Sequence, residues 1–112
     1  VPKVQSGTRM GDAIVEMTSR GFGCVAVCDA TGRMIGIISD GDLRRHMRPD
    51  LMTLPVDEVM TRNPKSVRET ILAVEAIEFI NRSKITALFV LDKAGCPSGI
   101  VHVHDLLRIG VA

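Results

Sequence analysis

Ser39 and Asp42 stand three residues apart in the run Gly36-Ile-Ile-Ser-Asp-Gly-Asp-Leu-Arg-Arg. A hydroxyl at the end of a strand, followed by a helix whose first turn has free backbone N–H groups, suits a phosphate, because those donors and the helix dipole favour negative charge. A carboxylate three residues on can accept both hydroxyls of a ribose. The same pair also suits a plain structural job, with Ser39 or Asp40 capping the helix and Asp42 favouring its N-terminal end. His102 and His104 are two apart and Asp105 follows, a grouping that raises a metal site or a proton relay. No third or fourth ligand stands at a characteristic spacing, so cleft-lining or interface histidines are the simpler reading. Arg44, Arg45 and Arg108 lie on short helical segments, to reach a phosphate, to pair across the repeat's pseudo-twofold, or simply to form a solvated face. Cys24, Cys28 and Cys96 are odd in number and lack C-x-x-C spacing, which points to small buried apolar groups rather than disulfides or a metal. No nucleophile–base pair is evident, so catalysis is not expected, and neither a resident metal nor a required cofactor is implied.

These residues belong to a chain of 112 with 46% hydrophobic and 24% charged residues, enough to build a core without disulfides. Fourteen Lys and Arg against 13 Asp and Glu leave a net charge of +1, without the broad positive field of phosphate-backbone binders. Trp and Tyr are absent and Phe numbers three, so there is little surface on which bases could stack. Nucleic acid is therefore not an expected partner. No apolar run approaches the roughly 20 residues of a membrane span, and the start carries no basic-then-apolar leader. The expectation is a soluble, cytoplasmic protein without a membrane partner.

What must position the candidate residues is an internal repeat. At an offset of 63, Val4 to Arg45 lies on Val67 to Arg108 without a gap, and 11 of the 42 positions are identical. Chance would give roughly three. The identities include Gly36/Gly99, Asp42/Asp105 and Arg45/Arg108. In each copy an extended piece, Pro2 to Val4 or Lys65 to Val67, precedes an amphipathic helix with Met10, Ala13, Ile14 and Met17, or Ala73, Ala76, Ile77 and Ile80, on its apolar face. Gly21 stops the first helix; the second runs out around Arg82 and Ser83. Short apolar strands follow at Cys24 to Cys28 and Ala87 to Leu91. Asp29-Ala-Thr-Gly32 and Asp92-Lys-Ala-Gly95 read as turns. Second strands span Met34 to Ser39 and Ser98 to Val103, and short helices begin near Asp40 and His104.

The expected fold is thus α/β in the α+β sense: two β-α-β-β-α units, each with a three-stranded sheet, related by a pseudo-twofold axis with clefts between them. The repeats are set at 1–47 and 64–112. Residues 48–63, with Pro49 and Pro55, read as a linker holding one short helical turn. Pro64 is expected to force Asn63 into an extended shape. The six methionines read mostly as core or interface filler.

The phrase from Gly36 to Arg45 resembles the G-h-h-[ST]-x-x-D-[LI] signature of CBS repeats, and Gly99-Ile-Val-His-Val-His-Asp-Leu-Leu-Arg resembles its second copy. Val59-Met-Thr and Pro64 are similar to the M-T-x-x-P phrase that opens such a repeat. Ser-Asp-Gly-Asp-Leu-Arg-Arg, Met-Thr-Arg-Asn-Pro-Lys and Ile-Val-His-Val-His-Asp-Leu-Leu-Arg-Ile-Gly-Val are more narrowly similar to the C-terminal CBS pair of arabinose 5-phosphate isomerases, which feed Kdo and lipopolysaccharide synthesis. The resemblance implies a regulatory fragment, its first repeat truncated, that senses an adenine or cytidine nucleotide or a sugar nucleotide. It would modulate a sugar-isomerase domain outside this chain. Ser39 would hold phosphate and Asp42 the ribose, with Arg45 alongside. In the second copy Asp105 and Arg108 are kept, and His102 stands where the signature has a hydroxyl. The competing reading is a ligand-free dimerisation module; a homodimer is expected in both.

Overall fold

The computed structural model describes residues 1–71, 73–83 and 87–102. The chain divides into two compact units, Val1–Pro64 and Lys65–Ala112. In the first, β1 (Lys3–Gln5) leads into α1 (Met10–Arg20), followed by β2 (Cys24–Cys28), β3 (Met34–Ser39) and α2 (Asp40–Arg45). Two 3-10 turns, Leu51–Thr53 and Val56–Glu58, then carry the chain to β4 (Thr61–Arg62). The second unit holds β5 (Ser66–Arg68), α3 (Ala73–Ser83), β6 (Ala87–Leu91) and β7 (Pro97–His102). The expected β-α-β-β-α order is complete in the first unit. In the second, the final helix and residue 103 lie outside the described residues.

Local chemistry explains these elements. The apolar spacing of α1 buries Met10, Ala13 and Met17 on one face, and Gly21, at φ 74°, ends the helix by donating its N–H to the Met17 carbonyl at 3.0 Å. A left-handed residue there is inexpensive only for glycine. All five residues of β2 are buried, so Cys24 and Cys28 are the interior groups their composition implies. The hairpin to β3 is held by Asp29, whose Oδ1 accepts from the N–H groups of Thr31 and Arg33 at 2.9 and 3.0 Å. Asp92 does the same in the second unit, accepting from Ala94 and Cys96 at 2.9 and 3.0 Å.

The repeat extends to strand register. Val4 pairs with Val27 across the parallel β1–β2 ladder, and Val67 with Val90 across β5–β6. Val27 faces Gly36 and Val90 faces Gly99 in the antiparallel ladders, each followed at once by an irregularity in register. One turn geometry, set by one aspartate, thus fixes the same pairing twice.

Three expectations are corrected. Residues 48–63 do not stand apart as a linker with a single helical turn. They form two 3-10 turns and place Leu51, Val56, Val59 and Met60 in the first unit's core with Met10, Ala13, Met17, Val25, Val27 and Ile38. Four aliphatic and thioether side chains in a row of 16 are worth about 1.5 to 3 kcal/mol each when buried, which outweighs the turn-forming tendency of Pro49 and Pro55. The first sheet has four strands rather than three, ordered β1-β2-β3-β4, because β4 pairs antiparallel with β3. Asn63 is not extended: its φ is +53°, a left-handed conformation that asparagine tolerates better than most residues. Among the methionines, Met10, Met17 and Met60 are buried, while Met47 and Met52 are 70% and 54% exposed. The latter two fill no core among the described residues.

Candidate functional site

The strand-to-helix junction of the first unit is organised around one carboxylate. Ser39 ends β3 in extended conformation and serves as N-cap of α2. Asp42, in the first turn, is only 2% exposed. Its Oδ2 accepts from the Ser39 backbone N–H at 2.9 Å and from the Ser39 hydroxyl at 3.0 Å. Its Oδ1 accepts from Arg45 Nη2 at 2.7 Å and from Thr61 Oγ1 at 2.6 Å. Burial alone would raise the carboxyl's pKa; the donors from Thr61, Arg45 and Ser39 outweigh it and hold the group below the usual carboxylate range. Asp42 is therefore ionised at neutral pH and is an acceptor only.

The two oxygens differ in what surrounds them. Both donors to Oδ2 come from half-buried Ser39, whereas both donors to Oδ1, Arg45 and Thr61, are exposed residues. Two glycines make the arrangement possible. A Cβ on Gly36 would lie 2.5 Å from Met60 Sδ, 3.0 Å from its Cγ and 3.1 Å from the Thr61 carbonyl oxygen, so β4 can pair here only against bare backbone. A Cβ on Gly41 would lie 3.1 Å from Arg45 Nη1, so Arg45 folds back over Gly41 to reach Asp42. Gly36, Ser39 and Asp42 are thus tied to Met60 and Thr61 within one unit. The sequence showed Met60-Thr61 only as a phrase opening the second repeat; its partners in the first became visible once β4 was seen beside β3.

Arg44 is exposed and Arg45 points to Asp42. Asp40 faces elsewhere: it lines an open recess of about 240 Å3 with Ile14, Met17, Thr18, Gly21, Gly23 and Leu43. Neither Ser39, Asp42 nor Arg45 lines that recess. Burial and, second, the charge of Asp40 push the Cys24 thiol up to about 11, which keeps it protonated. In the second unit His102 ends β7 opposite Ala87. His104, Asp105 and Arg108 lie outside the described residues, so the grouping read from the sequence is brought together only as far as His102's place on the strand.

The CBS domain model matches residues 1–55 and 56–112, which is the whole chain in two copies. The chain belongs to the CBS domain family. This CBS pair is 43% identical over 113 residues to arabinose 5-phosphate isomerase KdsD of Pseudomonas aeruginosa, a match that takes in 99% of the chain and 35% of the relative. The chain spans about a third of the length of the curated relatives it matches. Among solved structures it resembles the CBS domain pair of protein MJ0100 in complex with 5'-methylthioadenosine and S-adenosyl-L-methionine, at TM-score 0.82 and 21% identity over 96% of this chain and 85% of that one. It also resembles CBSX2 in complex with AMP, at TM-score 0.79 and 23% identity, over 96% of this chain and 85% of that one. These two likenesses establish the α+β CBS fold.

Proposed function

We propose that this CBS pair is the ligand-sensing regulatory part of an arabinose 5-phosphate isomerase of the cytoplasm, responding to an adenine or cytidine nucleotide or a sugar nucleotide. The observation that carries the reading is the Ser39–Asp42 junction. There an ionised, acceptor-only carboxylate sits in the first turn after a strand end, with its Oδ1 covered by the exposed Arg45 and Thr61. A sugar hydroxyl is a fitting donor to that oxygen, and Arg45 is a fitting partner for a phosphate. Ser39 is the phosphate-side hydroxyl in this reading; Asp42 is the ribose acceptor. His102, Asp105 and Arg108 are their counterparts in the second repeat. The kinship to KdsD and the adenosine-type ligands named for MJ0100 and CBSX2 support it. Catalysis is assigned to the sugar-isomerase domain of the relatives' longer chains, and this pair to its modulation, as a homodimer.

A thermal-shift screen of the 112-residue chain against AMP, ATP, CMP, the cytidine sugar nucleotide of Kdo and arabinose 5-phosphate tests the proposal. A ligand that binds only the folded state at 100 times its dissociation constant adds about 2.7 kcal/mol of stability. No shift with any of them would sink the nucleotide reading. The second reading, a ligand-free dimerisation module, draws on two observations. Asp42 already has four internal donors, and Val15 and Met47 are 66% and 70% exposed. A sedimentation experiment at tens of micromolar that shows dimer, together with an empty ligand screen, would favour it.

A further inference from the structure

We infer that Arg45 is the gate of the Asp42 site: a ligand that offers hydroxyl donors to the carboxylate must first displace the Arg45 guanidinium from Oδ1. The inference rests on the nucleotide-sensing reading above and says how the same site is controlled. Its basis is the inequality among Asp42's four partners. The two contacts to Oδ2 come from Ser39 at the N-cap, and the one through its backbone N–H cannot leave without opening the junction between β3 and α2. The Thr61 hydroxyl is carried by β4, whose backbone pairs with Ile37. Arg45 alone reaches the carboxylate by a long side chain that is 62% exposed, while the carboxylate it covers is 2% exposed. A guanidinium on a flexible, solvated stem is the partner that leaves at least cost.

Gly41 bears on the same point. Two positions before Asp42 the first repeat has Asp40, and between them a glycine whose missing Cβ leaves room for Nη1 at 3.1 Å. An alanine there crowds the closed position of Arg45 while leaving its charge in place. The gate also accounts for a fully donated carboxylate at a proposed ligand site: the apo state satisfies Asp42 internally, and the ligand exchanges with one member of the set. Once displaced, the guanidinium is free to pair with a phosphate on the same ligand.

Adenosine and AMP separate the terms, since only AMP offers the phosphate. Titration calorimetry of both on the parent chain, on Arg45→Met and on Gly41→Ala is the test, with circular dichroism melts confirming that each variant is folded. Arg45→Met should bind adenosine about twofold to fivefold tighter than the parent, the range of a pair whose guanidinium stays largely solvated. Gly41→Ala should shift adenosine the same way. The preference for AMP over adenosine should shrink in Arg45→Met, a ratio that a general loss of stability would not alter. Adenosine that binds the parent and binds both variants equally or more weakly overturns the gate and leaves the nucleotide reading standing. Absence of binding by either ligand to the parent and to both variants overturns both.

Discussion

Gly36 and Gly99 occupy the same place in the two repeats, each opposite a valine of the neighbouring strand, yet alanine should have different effects at the two. At Gly36 the new Cβ would meet Met60 Sδ at 2.5 Å, Met60 Cγ at 3.0 Å and the Thr61 carbonyl oxygen at 3.1 Å. The sulfur is the yielding end of a flexible side chain. Cγ and the carbonyl are not, since Met60 is in the core and Thr61 is paired to Ile37. Overpacking of this kind costs about 1 to 3 kcal/mol. At Gly99, among the described residues, the Cβ would meet only Val90, at 3.8 Å, an ordinary contact; the change should stay within about 0.5 kcal/mol. Urea unfolding followed by circular dichroism reads both values from the midpoints if the slope is unchanged. Because the cost at Gly36 arises from Met60, the double variant Gly36→Ala, Met60→Ala should be more stable than the sum of the two single changes predicts. Equal losses at the two glycines, or strict additivity with Met60, would refute the close approach of β4 to β3 as the reason for Gly36.

Thr61→Val removes one donor to a buried carboxylate at nearly constant volume and should cost about 1.5 kcal/mol in urea unfolding. Asp42 titrates below its ordinary value in the folded chain, so its contribution is fully present above the unfolded carboxyl pKa of about 3.9 and is lost as pH falls through the lower, folded value. The stability gap between the parent and Asp42→Asn should accordingly be large at pH 6 and shrink toward pH 3, and a gap that does not narrow would refute the assignment. In the folded protein at pH 8, iodoacetamide should label half-buried Cys96 before Cys24 and Cys28, which are buried. With its pKa at about 11, Cys24 has only about a thousandth of its thiol ionised at that pH. Peptide mass spectrometry before and after urea checks the order.

Much was legible from residue types and spacing alone because the determining forces are local. The 63-residue offset, the apolar face of α1, Gly21 as its stop and the aspartate–glycine turns each depend on a few neighbouring residues. They made the β-α-β-β order of both repeats legible. The signature residues Gly36, Ser39 and Asp42 were visible too, but not what each one touches. Three matters needed the folded chain. Residues 48–63 joined the first core because burial of Leu51, Val56, Val59 and Met60 is a sum over distant contacts that no window of sequence contains. Asn63 departed from the local rule for a residue before proline. Asp42 met Thr61, 19 positions away, only because β4 pairs with β3 at a glycine. Spacing tells which side chains are able to accept or donate, but only packing decides which of those capacities the protein has already used within itself.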